Sequence, residues 1–232
     1  MKCKYFFLVA LVLLVLAACQ KLDREIITDL NRVQIERSYL NVANLLHAVY
    51  SELPEGFANI DGSMMAAATD EAEFTNEISN VQSFNNGSWN ATSNPNNVWG
   101  SHFRAIRKAN VFLVSTDSVN LDQVKLDPSP SQQLVYNTRL ADIKRWKYEA
   151  RFLRAFFYFE LVKRYGGVPI MTRALSEEDI SSIKRNTLGE CIRFISDECD
   201  SAANNLPVTY SATNAADFGR ATKGAALALK SR

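Results

Sequence analysis

The sequence is short of the groups from which most catalytic centres are assembled. Its 232 residues include only two histidines, His47 and His102, and four cysteines. Two histidines far apart in sequence do not suggest a histidine-built metal centre or a Ser/His/Asp triad. His47 reads as a packed or half-exposed side chain, and His102 as lying on the opposite face of its helix from Ile106. An excess of one charge is also missing. Lys and Arg number 26 against 25 Asp and Glu, for a net charge of +1 and no basic run. That balance argues against nucleic acid as a partner. The disulfide framework of a small secreted domain is absent as well. Cys191 and Cys199 fall in one expected helix, about 12 Å apart along its axis, and a disulfide needs Cα atoms within about 7 Å. Both are expected to be small core residues. No segment shows the period-two alternation of a strand.

The N-terminus carries an apolar run. A basic start, Met1-Lys2-Cys3-Lys4, precedes an unbroken apolar segment from Tyr5 to Leu16. At ~1.5 Å per residue it spans roughly 18 Å, short of the ~30 Å hydrocarbon core, so it fits a signal peptide rather than a membrane helix. It closes on Leu16-Ala17-Ala18-Cys19, the pattern of a bacterial lipobox, in which Cys19 becomes the first residue and receives acyl chains. The alternative is an ordinary secretory signal with an incidental cysteine. Each buried CH₂ contributes about 0.8 kcal/mol, so multiple acyl chains on Cys19 would anchor the protein stably. The expected organisation is a signal over residues 1–18, an anchor and tether over 19–35, and a helical domain over 36–232. Loss of Lys2 and Lys4 takes the charge to about −1. Roughly 210 residues remain, enough for one domain with a proper core.

Beyond the N-terminal run, the densest apolar stretch is Glu149–Ile170, EARFLRAFFYFELVKRYGGVPI. Between Phe152 and Val162 it is apolar on nearly every side, and such a helix must be surrounded. Arg151, Arg154, Glu160, Lys163 and Arg164 leave a thin polar edge. Gly166-Gly167 ends the helix and Pro169 keeps it from restarting.

Other helices follow from apolar spacing. One runs from Arg37 to Leu53, ended by Pro54-Glu55-Gly56. A short helical patch covers Ser63 to Thr75. Asn94 and Pro95 read as the cap and first turn of a helix whose core face is Trp99, Phe103, Ile106, Ala109, Phe112 and Leu113. A linker, Asp117 to Gln132, leads to a long helix from about Gln133 to Tyr165. Thr187-Leu-Gly-Glu190 is a capping box opening the next helix, and a last helix begins near Ala225. Six helices and no strand make the chain all-α. Its alanine seams suit stacked antiparallel pairs, although a 34-residue repeat period is absent.

Candidate function concentrates in one loop. Asn76 to Asn97 contains VQSFNNGSWNATSNPNN, rich in Asn and Ser, with Phe84 and Trp89 as its large aromatics. Amides donate and accept at once, and an aromatic face is a flat apolar platform. That combination suits sugars, and it marks Trp89, Asn85, Asn86, Asn90 and Asn97 as ligand-binding candidates; the alternative is that Trp89 is tucked under the loop. Asp70, Glu71 and Glu73 are a possible acid pair for glycoside hydrolysis, but they lie close together with no second acidic cluster and read better as structural.

Several blocks together resemble the SusD/RagB family of outer-membrane lipoproteins of the Bacteroidetes. They are the lipobox, Thr69-Asp70-Glu71, Trp99 with Ile106-Arg107-Lys108-Ala109-Asn110, Glu149 through Ala155, Tyr165-Gly166-Gly167-Val168-Pro169, and Gly219 through Ala226. The resemblance implies irregular tetratricopeptide-like helix pairs in a right-handed scaffold, with the C-terminal part of the family fold absent. It implies a non-catalytic surface lipoprotein that captures oligosaccharides, or in some branches peptides, for a SusC-like TonB-dependent transporter. It implies no cofactor or metal, and structural roles for Arg151 and Arg154. A pure interaction scaffold is the alternative outside ligand capture.

Overall fold

The computed structural model describes residues 38–232 except 59, 118, 120, 122–127, 176–178, 180–181 and 211–216. Cys19, the expected signal and the tether lie outside the described residues. Among the described residues the regular structure is six α-helices and one 3-10 turn: α1 (Tyr39–Tyr50), the turn Met65–Ala68, α2 (Gln82–Asn85), α3 (Trp99–Thr116), α4 (Pro130–Tyr165), α5 (Leu188–Asn205) and α6 (Lys223–Ser231). Among the described residues there is no strand, only one isolated bridge between Ile60 and Ser63. No described helix is long and apolar enough to cross a membrane.

Helix α4 is the hub, packing against α1, α3 and α5, while α6 packs on α5. Leu153, Ala155, Phe157, Tyr158 and Leu161 are completely buried, and Phe152, Phe156 and Phe159 partly so. Each such aromatic contributes roughly 1.5–3 kcal/mol, which explains why the apolar stretch has neighbours on several sides. Ends are set locally. The Ser38 hydroxyl accepts from Asn41 N to start α1, Pro130 occupies the first turn of α4, and Thr187 and Glu190 complete the capping box of α5. Cys191 and Cys199 are free and buried, as expected for core residues, and burial pushes the Cys199 thiol up to about 11.

Several expectations need correction. Helix α3 starts at Trp99 rather than at Pro95, because the Asn94 side-chain Oδ1 accepts from Asn96 N and folds a turn instead. His102 and Ile106 are four residues apart and therefore share a face; both are buried, His102 against the Phe157 ring at 5.5 Å. The 63–75 patch shrinks to one 3-10 turn, since the Thr69 hydroxyl bonds Ala66 O and receives Glu71 N. Leu40 and Leu53 in or beside α1, and Ile192 in α5, face outward.

The polar edge of α4 is not a solvent edge either. Glu149 is fully buried and receives the Tyr50 hydroxyl (2.7 Å), the Tyr210 hydroxyl (3.1 Å) and Arg220 Nη1 (3.0 Å). Burial first, and the Glu149 charge second, push both tyrosines well above the usual phenol range, so they remain donors. Tyr50 also accepts Ala221 N, and the one Tyr210 hydroxyl hydrogen is shared between Glu149 Oε1 and Ala221 O. This junction docks the segment leading into α6. On the far side of α4, Glu198 Oε1 receives Arg151 Nη2 at 2.7 Å and Oε2 receives Arg154 Nη2 at 2.6 Å. Both arginines are structural, as the resemblance implied.

Candidate functional site

The loop between α1 and α3 folds around a small apolar nucleus of Ile60, Ala67 and Val81, with Phe74 and Phe84 packed on it. Helix α2, which the Asn/Ser-rich composition did not reveal, presents Phe84 at its end. The Trp89 ring packs on Phe84 at 5.7 Å between centroids and stays 51% exposed. Trp89 is thus neither tucked away nor loose. One part of it rests on a supported aromatic while half of its surface meets solvent.

Beside it, Asn85 donates to Ala67 O (2.9 Å) and to Gln82 Oε1 (3.0 Å). Asn85 and Gln82 line a polar cleft of about 390 Å³ together with Thr69, Asp70 and Glu73. Sequence reasoning set these two acids aside as structural. The juxtaposition depends on the 3-10 turn and α2 meeting across thirteen intervening residues, which no local pattern announces. Asp70 and Glu73 pair with no cation among the described residues.

The other amides do different work. Asn86 Oδ1 accepts from Ser88 N, and Asn90 Oδ1 accepts from Thr92 N, Ser93 N and the Thr92 hydroxyl. These are Asx-type turns that fix the loop. Asn97 sits in another corner, where its Oδ1 accepts from Trp99 N and from the Tyr165 hydroxyl. The structure therefore gathers Asn85 with the Phe84–Trp89 pair, spends the carbonyl groups of Asn86 and Asn90 on the turn, and sets Asn97 beside Trp99.

Trp99, expected in the core, is 37% exposed. Its ring packs edge-on against Phe103 and Tyr165, with the Arg185 guanidinium 5.7 Å from its centre. It borders a second concavity, a groove of about 540 Å³ between α3 and the chain after α4, lined by Trp99, Phe103, Ile106, Met171, Leu175 and Ile183 among others. The far wall exists because of the double glycine. Gly166 takes φ 70°, open to glycine, and a Cβ on Gly167 would lie 2.1 Å from Asn186 O. Asn110 then holds the wall, donating from Nδ2 to Met171 O and Arg173 O while Oδ1 accepts from Arg154. Tyr158, pushed up to about 12 by burial, accepts from Met171 N. Among the described residues no group of three or more His, Cys, Asp or Glu is placed to hold a metal.

The comparisons with known proteins agree with this architecture. The SusD-like family described as starch-binding and associating with the outer membrane matches residues 22–232. A SusD-like protein from Bacteroides fragilis is 28% identical, with a TM-score of 0.62 over 85% of this chain and 35% of its own. A SusD-like carbohydrate-binding protein from the same species is 24% identical, with a TM-score of 0.63 over 84% of this chain and 37% of its own. A laminarin-binding SusD-like protein is 22% identical, with a TM-score of 0.57 over 82% of this chain and 38% of its own. The last two carry the fold alone. This chain spans little more than a third of the length of these relatives, and no curated protein matches it. A helical hub with its short tetratricopeptide-like pairs, matched by one family across almost its full length, makes the chain a member of the SusD/RagB family, whose hallmark is glycan binding at the outer membrane.

Proposed function

We propose that this chain is the scaffold and part of the ligand face of a non-catalytic surface lipoprotein. It captures oligosaccharides and delivers them to a SusC-like TonB-dependent transporter. Residues 1–18 are its signal, 19–35 its anchor and tether through acylated Cys19, and 36–232 its helical domain. The observation that carries this reading is the half-exposed Trp89, propped on Phe84 beside the cleft of Asn85, Asp70 and Glu73.

The physical logic is that of sugar recognition. A sugar ring has an apolar face that packs on an indole, and hydroxyls that need both donors and acceptors. Carboxylates accept two hydroxyls at once, the Asn85 Oδ1 adds an acceptor, and the second Gln82 Nε2 hydrogen supplies a donor. Asn86 and Asn90 keep the surrounding loop in shape, while Asn97 serves the corner beside Trp99. The unpaired acids favour neutral over anionic glycans, since a sugar carboxylate there would meet like charge.

The test is Trp89→Ala in the complete protein, titrated calorimetrically with laminari- and malto-oligosaccharides. Affinity should fall about tenfold or more, roughly 1.4 kcal/mol, at unchanged melting temperature. Equal affinity for any oligosaccharide bound by both proteins would remove Trp89 from the site. Co-purification of the complete protein with a TonB-dependent barrel from outer membranes tests the delivery step.

A further inference from the structure

The groove under Trp99 is chemically unlike the Trp89 cleft, and its walls restrict what can occupy it. Its floor is aromatic and aliphatic, with Trp99, Phe103, Ile106, Met171 and Ile183. Asn110, the one amide lining it, is saturated by Arg154, Met171 O and Arg173 O. A glycan placed here would bury hydroxyls without partners, each an unfavourable desolvation. An extended peptide fares no better, because the wall's backbone is already engaged. Ile170 N donates to Asn186, Met171 N to Tyr158, and Leu175 O accepts Arg107 Nη1 at 2.8 Å. Those main-chain groups are spent and cannot pair with a strand laid along them.

Charge is the remaining cue. Arg173, at the rim, is neutralised by a bidentate pair with Asp179 at 2.7 and 2.8 Å. Arg107 also lines the groove, but it bonds only the Leu175 carbonyl and has no carboxylate partner among the described residues. Arg185 lies over Trp99 and likewise bonds only carbonyls, Gly167 O and Tyr165 O. The groove is therefore an apolar slot whose mouth carries guanidinium charge that no described carboxylate pairs with, within the ~300–1,000 Å³ range of small-molecule sites.

We propose that this groove binds a small amphipathic carboxylate, with its apolar body against Trp99, Phe103 and Ile106 and its carboxylate on Arg107. An acyl or arylalkyl acid of about ten carbons fits the slot, and a fork of guanidinium donors suits a planar carboxylate. The site is separate from the oligosaccharide reading and does not depend on it.

The test titrates decanoate into the complete protein by calorimetry, beside methyl decanoate, its uncharged ester. One saturable site is expected, weakened about tenfold in Arg107→Gln and about tenfold for the ester. Gly100 lines the groove, and a Cβ there meets nothing within 4 Å, so Gly100→Leu fills the slot without disturbing the core. That variant should keep its circular dichroism and melting temperature and lose decanoate. Decanoate binding that survives Gly100→Leu, or no saturable binding, overturns the proposal. Equal affinity for the ester and for Arg107→Gln overturns the carboxylate assignment, and displacement of decanoate by a laminari-oligosaccharide or an apolar peptide overturns the ligand class.

Discussion

Trp89 and Trp99 are ten positions apart and similarly exposed, yet they serve different surroundings. Trp89 stands on a lone phenylalanine in a loop held by Asx turns, beside amides and unpaired acids. Trp99 stands on the hub, braced by Phe103 and Tyr165, over an apolar slot whose polar groups are already satisfied. On the proposed reading the same indole is a sugar platform in one setting and a hydrophobic wall in the other. Its neighbours' unspent hydrogen bonds decide which.

The two settings also differ in what supports them, and this difference can be broken experimentally. The largest effect is expected at Glu198. Replacing it by Ala strands Arg154 in the interior, and loss of one partner of a buried pair costs about 3–5 kcal/mol. Denaturant unfolding should register that loss. At temperatures where the variant remains folded, the Trp99 groove should loosen before the Trp89 loop, because Arg154 holds Asn110 and Asn110 holds the groove wall. Equal loosening of both regions by hydrogen exchange would refute the difference in support.

Gly167→Ala should come next, at about 3 kcal/mol, since its methyl must displace the Asn186 backbone. A melting temperature within a degree or two of the parent's would contradict the close approach. Trp89→Phe should be milder still. It keeps an aromatic on Phe84, so oligosaccharide affinity should fall only a few-fold while stability is unchanged within about 0.5 kcal/mol. Thermal melts beside calorimetry separate the two quantities.

The smallest effect involves pH. Burial, and then the nearby Arg164 charge, lower the His102 pKa below its ordinary 6.5. The folded state thus binds fewer protons than the unfolded one, and its stability should fall as pH drops from about 7 toward 5. The His102 contribution should be present above the unfolded pKa and lost on acidification through the folded value. His102→Gln should flatten that part of the profile in denaturant titrations at pH 7 and 5. An identical slope in both proteins would remove His102 as its source.

Much of the scaffold was legible in the chain. The apolar girth of Phe152–Val162 demanded neighbours, Thr187 and Glu190 spelled a cap, and Gly166-Gly167 marked the stop. Apolar periodicity was weaker at the ends of elements, where Leu40 and Leu53 turned outward because nothing in the described structure covers them. Trp99 failed for a related reason. Its helical register is right, but exposure depends on how closely the 169–175 segment approaches, and Asn110 and Gly167 set that distance. The cleft was the least legible part. Asn85 and Trp89 stood out by composition, whereas Asp70 and Glu73 reach Asn85 only through a tertiary contact between two short turns.

The Glu149 junction has a consequence for the order of folding. The Tyr50 hydroxyl meets Ala221 N across a sequence separation of 171, so this contact closes nearly the whole domain into a loop. Closure of so long a loop is entropically slow and is expected after the hub has packed. Contacts that form late restrain escape more than they hasten arrival. Tyr50→Phe should therefore leave the refolding rate almost unaltered and quicken unfolding, so the clasp between α1 and the entry to α6 acts chiefly as a kinetic lock.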